Sequence, residues 1–211
     1  MDPTWEKLHC HYAHQDWADK PSIFAEKAHP FFPKSSKILE IGAGVGNDSI
    51  YFARNNFNVV SSDLVTDSLE KSISHLAEDT FRNISVQKID LRDRLPFEDG
   101  SFDVVYSHLS LHYFDHATTL CIVSEIERLL KPQGIFAFLA NSTDDPEYGS
   151  GEKIEEDFFK IGDVSKRYFN IEFTKALTHN FEAKLIDNCG QTYKDNAKNV
   201  HHLIRFIGQK I

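Results

Sequence analysis

One stretch of this chain constrains its fold more than any other. Residues 37–63 begin Lys37-Ile38-Leu39-Glu40-Ile41, continue Gly42-Ala43-Gly44-Val45-Gly46-Asn47, and end at Asp63. Ile38, Leu39 and Ile41 suit a strand buried on both faces. Glu40 interrupts that run, and a carboxylate near the end of a buried strand costs several kcal/mol unless it finds a partner. Gly42, Gly44 and Gly46 follow at alternate positions, where glycine allows positive φ and close approach of a ligand to the backbone. Helical spacing then starts with Ile50, Phe52 and Ala53, and Phe57–Val60 read as a second strand leading to Asp63. Strand, glycine loop, helix, strand is a mononucleotide-binding βαβ unit. An acidic residue about 20 positions past the glycines can take both hydroxyls of a ribose.

The dinucleotide fingerprint G-x-G-x-x-G fits only in part. Gly42 and Gly44 match, but its last position is Asn47 and the third glycine is Gly46. Composition narrows the field further. At 211 residues the chain is expected to be one domain with a substantial core; 41% of it is hydrophobic and 26% charged. No apolar run approaches the roughly 20 residues of a membrane span, so no membrane partner is expected. Met1–Lys7 lacks the basic start and apolar core of a secretory signal. Cys10, Cys121 and Cys189 offer no disulfide framework, which points to a reducing, cytoplasmic setting. The net charge of −9 argues against nucleic acid as partner, since phosphate contacts need a basic face.

Strands and helices alternate downstream. The pattern predicts a helix over Thr66–Leu76 with Leu69, Ile73 and Leu76 on one face, then a strand over Ile84–Ile89 closed by Asp90 and Leu91. Pro96–Gly100 carries turn chemistry, Phe102–Ser107 is a fourth strand, and His116–Leu130 a helix with Leu120, Val123, Ile126 and Leu130 in one stripe. Lys131-Pro132-Gln133-Gly134 ends it before a fifth strand over Ile135–Leu139. Beyond, Asn141–Gly151 reads as a loop and Glu152–Phe159 and Ile171–Leu177 as short helices. Phe181–Asp187 and Val200–Ile207 read as strands joined by the polar run Thr192–Asn199. Residues 1–36 are rich in aromatics, Trp5, Tyr12, Trp17, Phe24, Phe31 and Phe32 among them, with a helix start at Asp19-Lys20-Pro21-Ser22 that Asp19 would cap. Five βα units and a terminal strand pair predict an α/β fold: a doubly wound, mostly parallel sheet with helices on both faces.

Glu40-x-Gly42-x-Gly44-x-Gly46 resembles the first motif of class I S-adenosylmethionine (SAM) methyltransferases. The resemblance extends to their type 11 domains through Ile89-Asp90-Leu91, Leu95-Pro96-Phe97-Glu98-Asp99-Gly100-Ser101-Phe102-Asp103 and Leu129-Leu130-Lys131-Pro132-Gln133-Gly134, where Gln133 replaces the usual glycine. It covers residues 37–140, with weaker echoes at Tyr148–Gly151 and Lys166–Phe169. The resemblance implies a seven-stranded sheet in the order 3-2-1-4-5-7-6 with strand 7 antiparallel. It implies a single domain made of a helical lid segment (1–36), a cofactor-binding core (37–140) and a substrate-side insert with the terminal strand pair (141–211). SAM is the implied cofactor. Asp63 would hold the ribose diol, Asp90 would accept from the adenine amino group, Leu91 would donate its backbone N–H to the ring, and Leu64 would flank the adenine face. Gly42, Ala43, Gly44 and Asn47 would line the methionine end, Glu40 would join Asp63 and Asp90 on the rim that grips the adenosyl group, Ser107 would offer a carbonyl to the ammonium, and His108 would line the cofactor site.

The implied reaction is transfer of a methyl group by in-line displacement to a small-molecule acceptor. A sulfonium methyl is already electrophilic, so the protein's work is to align the nucleophile and exclude water. Where the acceptor carries a proton, His112 is the candidate base, with Tyr113 beside it; the other reading of His112 is that it only closes the pocket. Asp90 as a turn former and Asp63 as a helix-capping neighbour are the bland alternatives at those positions. His9, Cys10, His11 and His14 cluster without a zinc spacing, so no metal is expected. The Pro-Pro-aromatic motif of DNA amino methylation is replaced by Ser107-His108-Leu109-Ser110. Two other functions compete: a non-catalytic SAM-binding or interaction module, and an NAD-dependent oxidoreductase, which Asn47 and the missing substrate domain disfavour.

Overall fold

The computed structural model describes residues 19–194 and 201–211. At its centre is β1 (Lys37–Ile41), paired in parallel with β2 (Asn58–Asp63) and β4 (Phe102–His108). β3 (Ile84–Lys88) extends the sheet beyond β2, and β5 (Leu130–Ala140) beyond β4, both in parallel. β10 (Leu203–Lys210) runs antiparallel to β5 and to the edge strand β9 (Phe181–Gly190). The order β3-β2-β1-β4-β5-β10-β9 is the expected 3-2-1-4-5-7-6, with the last strand reversed.

The middle strands are apolar on both faces. Ile38, Leu39, Ile41, Val104, Val105 and every residue from Phe136 to Ala140 are wholly buried. Alternation along the strands divides the core into two layers. Leu39, Ile41, Val105, Phe136 and Phe138 share one layer with Ile122 and Ile126 of a long helix (His116–Leu129) and Leu177 of a short one (Ile171–Leu177). Ile38, Val104, Tyr106, Ala137 and Leu139 share the other with Phe24, Phe52 and Leu69. Those three residues lie on α1 (Ile23–Ala28), α2 (Asn47–Arg54) and α3 (Asp67–Ser74); a single turn, α4 (Glu78–Phe81), follows. The helices His116–Leu129 and Ile171–Leu177 are α5 and α6.

Four local expectations change. The cap of α1 is Ser22, not Asp19: its hydroxyl accepts from Ala25 N at 2.9 Å, and Pro21 lies one residue outside the helix. On α5 the buried stripe is Thr119, Ile122, Val123, Ile126 and Leu129, while Leu120 is 45% exposed and Leu130 has already entered β5. Thr119 joins the stripe because its hydroxyl donates to Asp115 O at 2.7 Å, which satisfies it inside the core. Residues 152–159 are not a helix. They begin a three-stranded antiparallel sheet of β6 (Glu152–Glu155), β7 (Phe158–Ile161) and β8 (Val164–Arg167). Tight turns decide this: Asp157 has φ 56° and Gly162 φ 62°, and Gly162-Asp163 is a hairpin signal. Finally, the last strand begins at Leu203; Val200, the aromatics Trp5, Tyr12 and Trp17, and the His9–His14 cluster lie outside the described residues. No helix among the described residues is long and apolar enough to cross a membrane.

Candidate active site

A cavity of about 490 Å³ opens beyond the carboxyl ends of β1, β2 and β4, where an open parallel sheet presents its ligand site. Its size falls in the range of small-molecule sites. Glu40, the glycine loop, Asn47 and Asp48 form one end. Asp63, Leu64, Ile89, Asp90, Leu91 and Arg92 form the other, and His108, Leu109, Ser110, Tyr113 and Phe114 make a side wall. Lys20, Ser22 and Ile23 close it from the N-terminal side, and Thr192, Tyr193 and Lys194 from the β9–β10 connection.

The glycine loop owes its shape to left-handed backbone: φ is 71° at Gly42, 59° at Gly44 and 88° at Gly46. A Cβ at Gly42 would stand 2.2 Å from Ser110 Cβ, so no other residue lets the loop lie against β4's exit. Asp63 braces the loop from below. Its Oδ2 accepts from Gly44 N at 2.8 Å and its Oδ1 from Val65 N at 3.1 Å. A carboxylate has about four acceptor positions, so Asp63 keeps capacity for a ligand. Asp90 is held by Arg92, through the backbone N–H at 3.0 Å and the guanidinium Nε at 2.9 Å. These bonds hold its carboxyl below the usual range.

The opposite end holds two buried carboxyls. Glu40 is 2% exposed and Asp48 5%. The Ser49 hydroxyl donates to Glu40. Asp48 accepts from Ser22 N at 2.5 Å, Ser22 Oγ at 2.7 Å and Tyr106 OH at 2.7 Å. Every one of these donors is neutral, and among the described residues neither carboxyl enters a salt bridge. Burial, reinforced by the Asp48 charge, pushes the Glu40 carboxyl well above its ordinary pKa. Burial and then Asp48 likewise raise the Tyr106 phenol, which stays a donor.

On the side wall, Leu109 adopts φ 56°. A branched side chain in that region is strained, and such residues gather at functional sites. His108 faces the cavity; burial lowers its pKa, against the pull of Asp48, so the ring is neutral near pH 7. Ser107 is wholly buried and bonds Ser110 Oγ at 2.6 Å, and it is not among the lining residues. His112 is not among them either. It is 2% exposed, in a one-turn 3-10 segment (Leu111–Tyr113). Its ring packs against that of Tyr113, a lining residue, with centroids 4.2 Å apart. Burial lowers the His112 pKa to about 3, with Lys166 and His108 adding to the effect.

The structure therefore gathers Glu40, Gly42, Ala43, Gly44, Asn47, Asp63, Leu64, Asp90, Leu91 and His108 in one cavity, and leaves Ser107 and His112 behind its wall. Sequence reasoning missed Asp48, Leu109 and the closing residues Thr192, Tyr193 and Lys194, whereas Lys20, Ser22 and Ile23 fall within the stretch expected as a lid. Asp48 was visible as an acid in the first turn after the glycines, but its partner Ser22 lies 26 positions away and no local pattern links them.

The methyltransferase domain family matches residues 38–134. An uncharacterized methyltransferase from Synechocystis is 33% identical over 103 residues, 49% of this chain and 46% of that protein. The chain spans about half the length or less of the curated relatives it matches. A SAM-dependent methyltransferase from Methanosarcina mazei superposes with TM-score 0.74 at 20% identity, over 88% of this chain and 97% of that one. A 1,6-didemethyltoxoflavin-N1-methyltransferase from Burkholderia thailandensis, with 1,6-didemethyltoxoflavin and S-adenosylhomocysteine bound, superposes with TM-score 0.69 at 18% identity, over 98% and 87%.

Proposed function

We propose, from the premise that residues 38–134 are a class I SAM-dependent methyltransferase domain, that this chain binds SAM in the cleft and methylates a small-molecule acceptor. One observation carries the reading: Glu40 and Asp48, buried and served among the described residues only by neutral donors, share a cavity with Asp63 and Asp90. Buried carboxylates call for a cation, and SAM brings two, an ammonium and a sulfonium. The donor set fits the rest of the molecule as well. Asp63 would take the ribose diol with its remaining lone pairs, Asp90 and Leu91 the adenine edge, and Leu64 its face. Gly42, Ala43, Gly44 and Asn47 would line the methionine portion.

When bound, SAM supplies an electrophilic methyl on a positively charged sulfur. The chain's own residues then have three tasks. The two closing segments exclude water. Tyr113 and Phe114 give the acceptor an apolar wall to lie against. His108, neutral and facing the cavity, is the side chain placed to take the acceptor's proton at a ring nitrogen; His112 supports the wall from behind. We take residues 1–211 as a single domain in a reducing, cytoplasmic setting, in keeping with the free thiols of Cys121 and Cys189. The net charge of −9 favours a small acceptor over nucleic acid. The pairing of S-adenosylhomocysteine with a small acceptor in the Burkholderia neighbour supports the same arrangement.

Calorimetric titration with S-adenosylhomocysteine and with NAD tests the proposal. One equivalent of S-adenosylhomocysteine should bind, and NAD should not. Binding of NAD alone, or of neither, removes the reading. Turnover of labelled SAM across a panel of small acceptors then separates an enzyme from a binding module.

A further inference from the structure

Two segments far apart in sequence meet over the cleft. Lys20, Ser22 and Ile23 line it from one side, Tyr193 and its neighbours from the other. The Tyr193 hydroxyl donates to the Pro21 carbonyl at 2.9 Å, across 172 positions of chain. One residue later, Ser22 is anchored from below. Its N–H and hydroxyl both donate to Asp48, at 2.5 and 2.7 Å, and its hydroxyl lies 3.1 Å from Tyr106 OH. The same Ser22 hydroxyl caps α1. Asp48 itself, 5% exposed, is a lining residue of the cavity. A single carboxylate thus touches the roof with its oxygens and borders the space a ligand would fill.

We propose that Asp48 is a positioning residue that couples closure of the roof to occupancy of the cleft, with Tyr193 as the latch on the far side. The inference rests on the reading that the cleft takes SAM. With the roof open, Asp48 loses two donors from Ser22 and gains water. With it closed, the carboxylate is desolvated and faces Glu40, a second acid. A cationic ligand at that end offsets both costs, so it favours the closed roof. Linkage is reciprocal, and a closed roof must hold the ligand more tightly by the same factor.

The test uses the full chain and S-adenosylhomocysteine as probe. Its release is followed by stopped-flow, and the amides of residues 23–28 by hydrogen exchange with and without the probe. Tyr193→Phe removes one hydroxyl at the edge of the fold and keeps the ring; Ser22→Ala removes the anchor. In the native chain the probe should slow exchange over 23–28. Tyr193→Phe should release it about 5-fold faster, the loss of roughly one hydrogen bond, and should lose part of the added protection; Ser22→Ala should do both to a greater degree. A merely structural contact would protect these amides equally with and without the probe. Equal release rates in all three proteins, or protection that ignores the probe, overturns the coupling while leaving the cofactor assignment standing. A native chain that binds no S-adenosylhomocysteine overturns the cofactor assignment itself.

Discussion

Asp63 stands at the end of β2 with both oxygens already engaged by backbone N–H groups, of Gly44 and Val65. The residue therefore shapes the loop and offers the remaining lone pairs to a ligand. Asp63→Ala should weaken S-adenosylhomocysteine binding by about 1–3 kcal/mol, the cost of losing a charged hydrogen bond, as read by calorimetry; an unchanged affinity would contradict the ribose assignment. His112 makes a different kind of claim. Its folded pKa, about 3, lies below the unfolded value near 6.5, so the unfolded chain takes up the proton first as pH falls. The stability it contributes is complete above pH 6.5 and declines below it, by about 2 kcal/mol at pH 5. Urea unfolding of the native chain and of His112→Gln at pH 7 and pH 5 should differ by that amount. Parallel losses in the two proteins would mean that His112 is solvated.

Elements, unlike single residues, were legible in proportion to how local their causes are. β1, β2 and β4 announce themselves by apolar runs between glycine and acidic punctuation and form at those runs, whereas β5 starts at Leu130 and takes in the Lys131–Gly134 stretch expected to separate helix from strand. The β6–β8 sheet was misread because its acid-rich first strand and paired phenylalanines carry no clear period, while the Gly162 turn that decides the matter went unweighted. What fastens that sheet is a tertiary contact. Arg167, 3% exposed, pairs with Glu155, donates to Phe114 O at 3.1 Å and lies over the Phe158 ring at 5.2 Å. Phe114 lines the cleft, so the small sheet buttresses the cavity wall. Arg167→Met should lower stability by about 1–3 kcal/mol, less than a fully buried pair because Glu155 is 36% exposed. The urea midpoint should fall with the slope unchanged; a stability equal to native would show that the sheet is not fastened there.

For the whole molecule, the parallel sheet places its strand ends on one side, and the glycine loop, Asp63, Asp90 and His108 converge there because β1 lies between β2 and β4. Binding confined to the folded state stabilises it by mass action. S-adenosylhomocysteine at 100 times its dissociation constant should add about 2.7 kcal/mol, a rise in Tm of about 5–11 °C for a chain of this size. No shift at saturation would mean that the cavity does not take it. The parallel core, the glycine loop and the acids at the strand ends can be read from the residues alone, because strand burial, helical period and positive φ leave their marks within a few neighbouring residues. Which side chains reach the cavity is settled by the folded packing instead. Asp48 meets Ser22, Tyr193 meets Pro21, and His112 lies buried outside the lining residues, because those outcomes depend on how distant segments pack, and packing leaves no trace in local spacing.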